Sequence, residues 1–335
     1  MSVSGAAPIT LPTDDIKLCV ETAKADPSVP TGPIVDANLT FKTNAPSLSF
    51  QDYIGLNIQV SNSFLDRYDD FYVIAAQLAP DGKITETVCN EILTSNGQNT
   101  IIEHPVLAYA MAQQVTLTLY AEKDGVIYVG QSIVTSVNQV TLQMLDLYAK
   151  NAKICRMLVN MLNYGRAVQT AYSVFPNDLP TVGDYAAFGT TETELNAVSS
   201  AAGDGTMYIN GPSISMQDKV EINVKFKTAE MVGRTVKVYA DGEEYAGEIL
   251  FQDSENGTKQ IARIAVKATE MRKTYTIALY DDETGEAVTK VITTSIEAMC
   301  NLYINNLEPT NAYVILCKAI MSYGDAVYAF AYPNG

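Results

Sequence analysis

The chain carries a single histidine, His104, and no tryptophan in 335 residues. One imidazole removes most histidine-based acid–base chemistry and every His-rich metal site. Basic residues are also scarce: 22 Lys+Arg stand against 38 Asp+Glu, a formal net charge of −16. A nucleic-acid binder needs cations to displace counterions from phosphates, and an anionic bilayer attracts the same charges, so both classes are disfavoured. No apolar run approaches the roughly 18–20 residues of a membrane span. The opening MSVSGAAPITLPTDD lacks the basic region and apolar core of a signal peptide. The expectation is an intracellular protein, or one whose export leader has been removed. The five cysteines, Cys19, Cys89, Cys155, Cys300 and Cys317, include no C-x-x-C pair. An odd set without ligand spacing is neither a disulfide framework nor a zinc site, and small buried hydrophobes are expected.

Catalytic motifs are missing as well. There is no G-x-x-x-x-G-K-[ST], no G-x-G-x-x-G after a strand and no G-x-S-x-G. A triad would need His104 as base, but it stands in EHPVLAYAM without a partner, so a surface or cap histidine is expected. Asp69-Asp70, Glu86, Glu91, Asp281-Asp282 and Glu283 fall in presumed turns and on strand faces, where solvated carboxylates are the default. The turn Asp253-Ser254-Glu255-Asn256-Gly257 misses the spacing of a calcium loop. The reading is a non-catalytic protein without cofactor or metal.

What is present is a folded core and a repeat. Hydrophobic residues make up 47% and charged residues 18%, which argues against disorder, and the length fits about two domains. PSLSFQDYIGLNIQV (46–60) returns as PSISMQDKVEINVKF (212–226), with Pro46, Ser47, Ser49, Gln51 and Asp52 recurring as Pro212, Ser213, Ser215, Gln217 and Asp218. MAQQVTLTLYAEKDG (111–125) returns as MRKTYTIALYDDETG (271–285), and LVNMLNYGRAV (158–168) as CKAIMSYGDAV (317–327). Four blocks in one order, counting Thr135-Ser136-Val137 against Thr294-Ser295-Ile296, read as one module written twice.

Each copy has the same grammar. Ile54, Leu56, Ile58 and Val60 alternate, as do Val220, Ile222, Val224 and Phe226, which predicts half-buried strands. Hairpins are expected to turn at Lys123-Asp124-Gly125 and at Glu283-Thr284-Gly285. Ser136 and Ser295 suit helix N-caps, and apolar residues three or four apart then predict a longer helix starting near Asn151 and near Pro309. The predicted fold class is α+β: two tandem copies of a small antiparallel β-sandwich, each closed by a C-terminal helical hairpin. The divisions are an N-terminal arm (1–36), a first module (37–175), a linker rich in Pro, Gly, Ser, Thr and Ala (176–205) and a second module (206–332).

Tyrosine is in excess, 20 against 9 phenylalanines. Its large apolar face and hydroxyl suit recognition surfaces, although β propensity also accounts for strand tyrosines. The matched Tyr120/Tyr280 and Tyr164-Gly165/Tyr323-Gly324 are expected to be scaffold. Binding is expected where the copies differ, in SNSFLDRYDDFY of the first against KTAEMVGRT of the second. Aromatics beside Asp and Arg have the composition of an interface hot spot, which nominates Phe64, Tyr68, Phe71 and Tyr72. Replacing Phe64 and Tyr68 by alanine is then expected to weaken binding and leave folding nearly intact.

The blocks LTLYAEKDG, TSVNQVTLQML and MLNYGRAVQTAYSVF resemble a module repeated in large secreted and surface-attached proteins of anaerobic gut Firmicutes, with its closing LNYGxAxQ-type helix. The second copy departs from it: SYGDAVYAFAY lacks the glutamine present at Gln169. The resemblance implies an extracellular or cell-surface binding and adhesion fragment recognising a host or bacterial surface protein, with host immunoglobulin among the implied partners. The alternative is a carbohydrate-binding pair attached to a polysaccharide-degrading system. Neither reading calls for a nucleic acid or for membrane insertion.

Overall fold

The computed structural model describes residues 32–333 apart from 44, 51–52, 91, 177, 181, 191–192 and 217–218. Most of the expected N-terminal arm, with Cys19, and the repeated Gln51, Asp52, Gln217 and Asp218 therefore lie outside the described residues. The fold is α+β, with four β-sheets and, among the described residues, four α-helices that follow the strands in two pairs.

The first half contains two sheets. One runs β1 (Ile34–Val35), β9 (Val126–Thr135), β8 (Val115–Lys123), β4 (Asp70–Leu78), β5 (Ile84–Cys89). The other runs β2 (Ser47–Phe50), β3 (Ile54–Ser61), β7 (Asn99–Val106), β6 (Ile92–Ser95). Alternation decides which side chains go inside. Leu56, Ile58 and Val60 from one sheet and Val73, Leu117 and Leu119 from the other are buried, while their sequence neighbours point outward.

The same strand order recurs in the second half. One sheet runs β10 (Ala201–Ala202), β18 (Ile292–Thr294), β17 (Tyr275–Asp281), β13 (Arg234–Ala240), β14 (Glu243–Glu244). The other runs β11 (Ser213–Ser215), β12 (Glu221–Lys227), β16 (Lys259–Ala265), β15 (Ile249–Asp253). Ile222, Val224, Phe226, Ile277 and Leu279 are its buried centre.

The two predicted hairpins differ. Asp124 and Gly125 take φ of 50° and 74°, a tight turn between β8 and β9 that glycine tolerates best at its second position. Around Glu283-Thr284-Gly285 the turn is wider, because the Asp281 carboxylate accepts from the backbone N–H groups of Glu283 and Thr284. The returning chain then pairs irregularly, and the buried Thr289 hydroxyl accepts from Leu279 N at 3.0 Å in place of a ladder carbonyl.

The helices are α1 (Val137–Leu147), α2 (Ala152–Tyr172), α3 (Ile296–Asn306) and α4 (Ala312–Ala331). Their caps sit where hydroxyl and amide side chains can take an orphan N–H. Ser136 accepts from Gln139 N at 3.0 Å, Ser295 from Ala298 N at 2.9 Å, and Asn311 from Tyr313 N at 2.9 Å. Helix α4 is long and apolar enough to cross a membrane, contrary to the expectation that no such run exists, and 56% of that stretch is buried inside the structure. What covers it is α2: Tyr164 and Tyr323 stack with centroids 5.7 Å apart and planes 6° from parallel, and Asn160 Nδ2 donates to Ser322 O at 3.4 Å.

Gly165 and Gly324 each let a helix close on a short turn. A Cβ at Gly165 would lie 2.8 Å from Ala108 O and from Met111 Sδ; one at Gly324 would lie 3.0 Å from Ala268 O and 2.6 Å from Met271 Sδ. The stretch read as a linker is mostly exposed among its described residues but is pinned at several points. Leu179 and Val182 are buried, and Arg272, ion-paired to Glu297 and Asp325, also donates to Glu194 O at 2.9 Å. The four described cysteines are free and buried.

Candidate functional site

The four nominated aromatics do not form one surface. Phe64 lies in the 3-10 turn Asn62–Asp66, and Tyr68 just beyond it; both are 6% exposed, and Phe71 is 8% exposed on the core face of β4. The turn folds the two rings back into the sandwich, and the Arg67 guanidinium covers both at 5.3 Å from each centroid. The Tyr68 hydroxyl donates to the Asp36 carboxylate, and its ring packs at 5.3 Å from Tyr128. Burial and the Asp36 carboxylate push this phenol up to about 12, and the same hydrogen bond holds the Asp36 carboxyl below its ordinary value. Phe64, Tyr68 and Phe71 are therefore core, and the paired alanine substitution would open cavities rather than clear a surface. The composition reads as an interface because Arg67 caps buried rings.

Tyr72 goes the other way. With Phe71, Val73 and Ala75 buried, period two sends Tyr72, Ile74, Ala76 and Leu78 to the outer face of the five-stranded sheet. There Tyr72 stands directly opposite Tyr120, ring centroids 5.5 Å apart and planes within 6°. The register extends the face in rows. Val88, Ile74, Thr118 and Ser132 form one; Glu86, Ala76, Thr116 and Val134 the next; Ile84 and Leu78 a third. Ile84 is 63% exposed, Val88 47% and Val134 54%. Thr118 and Ser132 hydroxyls are hydrogen-bonded at 2.9 Å.

This is an apolar, pleated platform with an aromatic pair at one end and hydroxyls along one side. Sequence reading reached Tyr72 but missed Ile84, Val88 and Val134. Their signal was available: apolar residues on the alternate set of a strand whose other set already fills the core. In the second half the corresponding face carries Thr235, Lys237 and Tyr239 on β13, with Lys237 Nζ 5.1 Å above the Tyr280 ring.

His104 is not a surface or cap residue. It is 5% exposed on β7, opposite Leu56, with Nδ1 3.5 Å from Cys89 Sγ; its Nε2 makes no hydrogen bond with any described residue. Burial lowers the imidazole to about 4 and raises the Cys89 thiol to about 12. A thiol held protonated beside a neutral imidazole is the reverse of an activated Cys–His pair. Among the described residues no three His, Cys, Asp or Glu side chains gather as a metal-binding group.

No protein-family model matches the chain, and no curated protein is significantly similar to it.

Proposed function

We propose that the chain is a non-catalytic binding fragment built from two tandem copies of one β-sandwich and helical-hairpin module, acting outside the cell or at its surface. The recurring strand order, the matched caps and the matched Gly165 and Gly324 contacts support the two-copy reading. The observation that carries the binding reading is the outer face of the first five-stranded sheet. Val88, Val134 and Ile84, 47–63% exposed, stand in three successive rows leading away from the Tyr72–Tyr120 pair, and isolated exposed apolar residues would need no such explanation. The partner proposed is a protein, with host immunoglobulin as the first to test.

The decisive measurement is biolayer interferometry of the immobilised chain against purified immunoglobulins and mucosal secretions, with an Ile84→Ser/Val88→Ser variant beside it. Both residues are exposed, so the variant keeps its fold and binding falls by about ten-fold or more, two lost apolar contacts of roughly 1 kcal/mol each. Capture of the same protein equally by both forms would sink the assignment of this face. The parallel Tyr72–Tyr120 rings favour a second reading, a glycan-stacking platform. Affinity electrophoresis on plant and mucin glycans, with Tyr72→Ala as control, separates the two.

A further inference from the structure

A second feature lies at one end of the second half. The segment 205–209 bridges the two sheets there. Met207 N donates to Val288 O at 3.1 Å beside the five-stranded sheet, and Ile209 pairs with Phe226 of β12. Gly205 runs so close to the chain leading into β18 that a Cβ would lie 2.2 Å from Lys290 N. This segment, with Lys227, Glu230 and Lys290, lines a wide-mouthed surface cavity of about 380 Å³.

The charges around it break a local rule. Lys227 and Lys259 stand directly opposite each other on β12 and β16, where like charges destabilise a sheet. Both ammonium groups lie over the Tyr208 ring, 5.2 and 4.9 Å from its centroid, and Lys259 Nζ donates to the Tyr208 hydroxyl at 3.0 Å. Glu230 pairs with only one of the two lysines: Oε1 accepts from Lys227 Nζ at 3.0 Å, and Oε2 accepts from Tyr208 N at 3.1 Å. Lys290 is exposed, and its side chain makes no hydrogen bond or ion pair with any described residue. Lys227 and Lys290 thus line the cavity with Tyr208, and Lys259 reaches the Tyr208 ring beside them, with one carboxylate, Glu230, among them, in a chain of net charge −16.

The first half has none of this. Ser61 and Asn99 form the corresponding cross-strand pair, and Gln131, in the place of Lys290, closes the loop by accepting from Phe41 N at 3.0 Å. Phe64 fills the position of Glu230. A like-charge pair kept at a cost, on paired strands and beside an open cavity, marks a site with a task.

We propose that Lys227, Lys259, Lys290 and Tyr208 bind an oxyanion carried on a monosaccharide-sized body: the carboxylate or sulfate of an acidic sugar. Ammonium groups supply unused donors to the anion, the cavity is within the size range of small-ligand sites, and Thr206 with the Tyr208 hydroxyl faces a hydroxylated rather than a greasy body. The anion would also relieve the repulsion between Lys227 and Lys259. The geometry stands whichever partner the first-half face takes.

Isothermal titration calorimetry on the whole chain in low salt tests this with glucuronate, N-acetylglucosamine 6-sulfate, inorganic sulfate, and neutral glucose and N-acetylglucosamine. Expected is binding of the acidic sugars, tighter than of inorganic sulfate, with no heat from the neutral ones. It should weaken by about ten-fold or more in Lys259→Asn/Lys290→Gln, which installs the residues the first half carries there. The circular dichroism melt of that variant controls for folding. No heat from either acidic sugar at about 20 mM, or equal binding by the folded variant, overturns the site. Equal affinity for inorganic sulfate and the sugar sulfate overturns the sugar assignment.

Discussion

At the scale of single residues, His104 sets a pH dependence. Its folded-state value of about 4 lies below the ordinary 6.5, so between those two pH values the unfolded chain binds a proton that the native state refuses. Stability contributed by the neutral imidazole is complete above pH 6.5, falls as pH drops toward 4, and changes no further below that. The size is on the order of 3 kcal/mol at one pKa unit per 1.36 kcal/mol. Urea unfolding of wild type and His104→Leu at pH 7.5 and pH 4.5 isolates this part, since carboxylates titrate in both. Wild type should lose roughly 2–3 kcal/mol more than the variant; equal losses would mean that the imidazole is not buried as described. The same scale shows what sequence reading could not supply. EHPVLAYAM shows an alternating strand only if the polar His104 is accepted as an inward residue. SNSFLDRYDDFY hides a 3-10 turn that reverses the direction of Phe64 and Tyr68. Side-chain direction in irregular backbone depends on where the turn points, and no periodicity records that.

Elements were more legible than side chains. Alternating strands, the Asp124-Gly125 hairpin and the serine caps all follow local rules, and each lies where those rules put it. The wide turn at Glu283 does not, because the Asp281 carboxylate and the Thr289 hydroxyl compete with the ladder. Nor do the anchors of Glu194 and Asn196, which come from partners far away in sequence, Arg272 and Glu297, through Glu194 O and Asn196 N. The helical glycines lie between these cases. What approaches them is the turn Ala108–Ala110 and its counterpart Ala268–Glu270. Alanine is the better helix former by about 1 kcal/mol, so propensity alone predicts that Gly165→Ala stabilises. Contacts of 2.8 Å with a backbone oxygen predict the reverse, because α2 must shift off the turn. A net loss of about 1–3 kcal/mol is expected from chemical denaturation, and a rise in stability would show that the turn yields freely.

For the whole molecule the question is what the apolar face of each closing helix covers. Periodicity shows that α2 and α4 have such faces and says nothing of their targets. Each covers the other: Tyr164 stacks on Tyr323, Tyr172 meets Tyr313 edge-on at 5.9 Å, and the Tyr164 hydroxyl donates across the halves to Met216 O at 2.9 Å. The core is therefore continuous through the helices, and neither half can unfold without baring a helix face of the other. One calorimetric transition is expected, and the two halves should share the effect of a substitution in either. Tyr323 is the most informative place to test this. Its ring is buried, its hydroxyl bonds to no described residue, and burial holds the phenol well above its ordinary value, so its contribution is packing rather than a hydrogen bond. Tyr323→Ala should cost on the order of 3 kcal/mol by cavity formation. Amide exchange in β3 and β7, far along the chain in the first half, should speed up with that in β12 and β16. Two resolved melting transitions with only one displaced, and unchanged protection in β3 and β7, would show instead that the halves stand independently and that the stacked tyrosines merely touch.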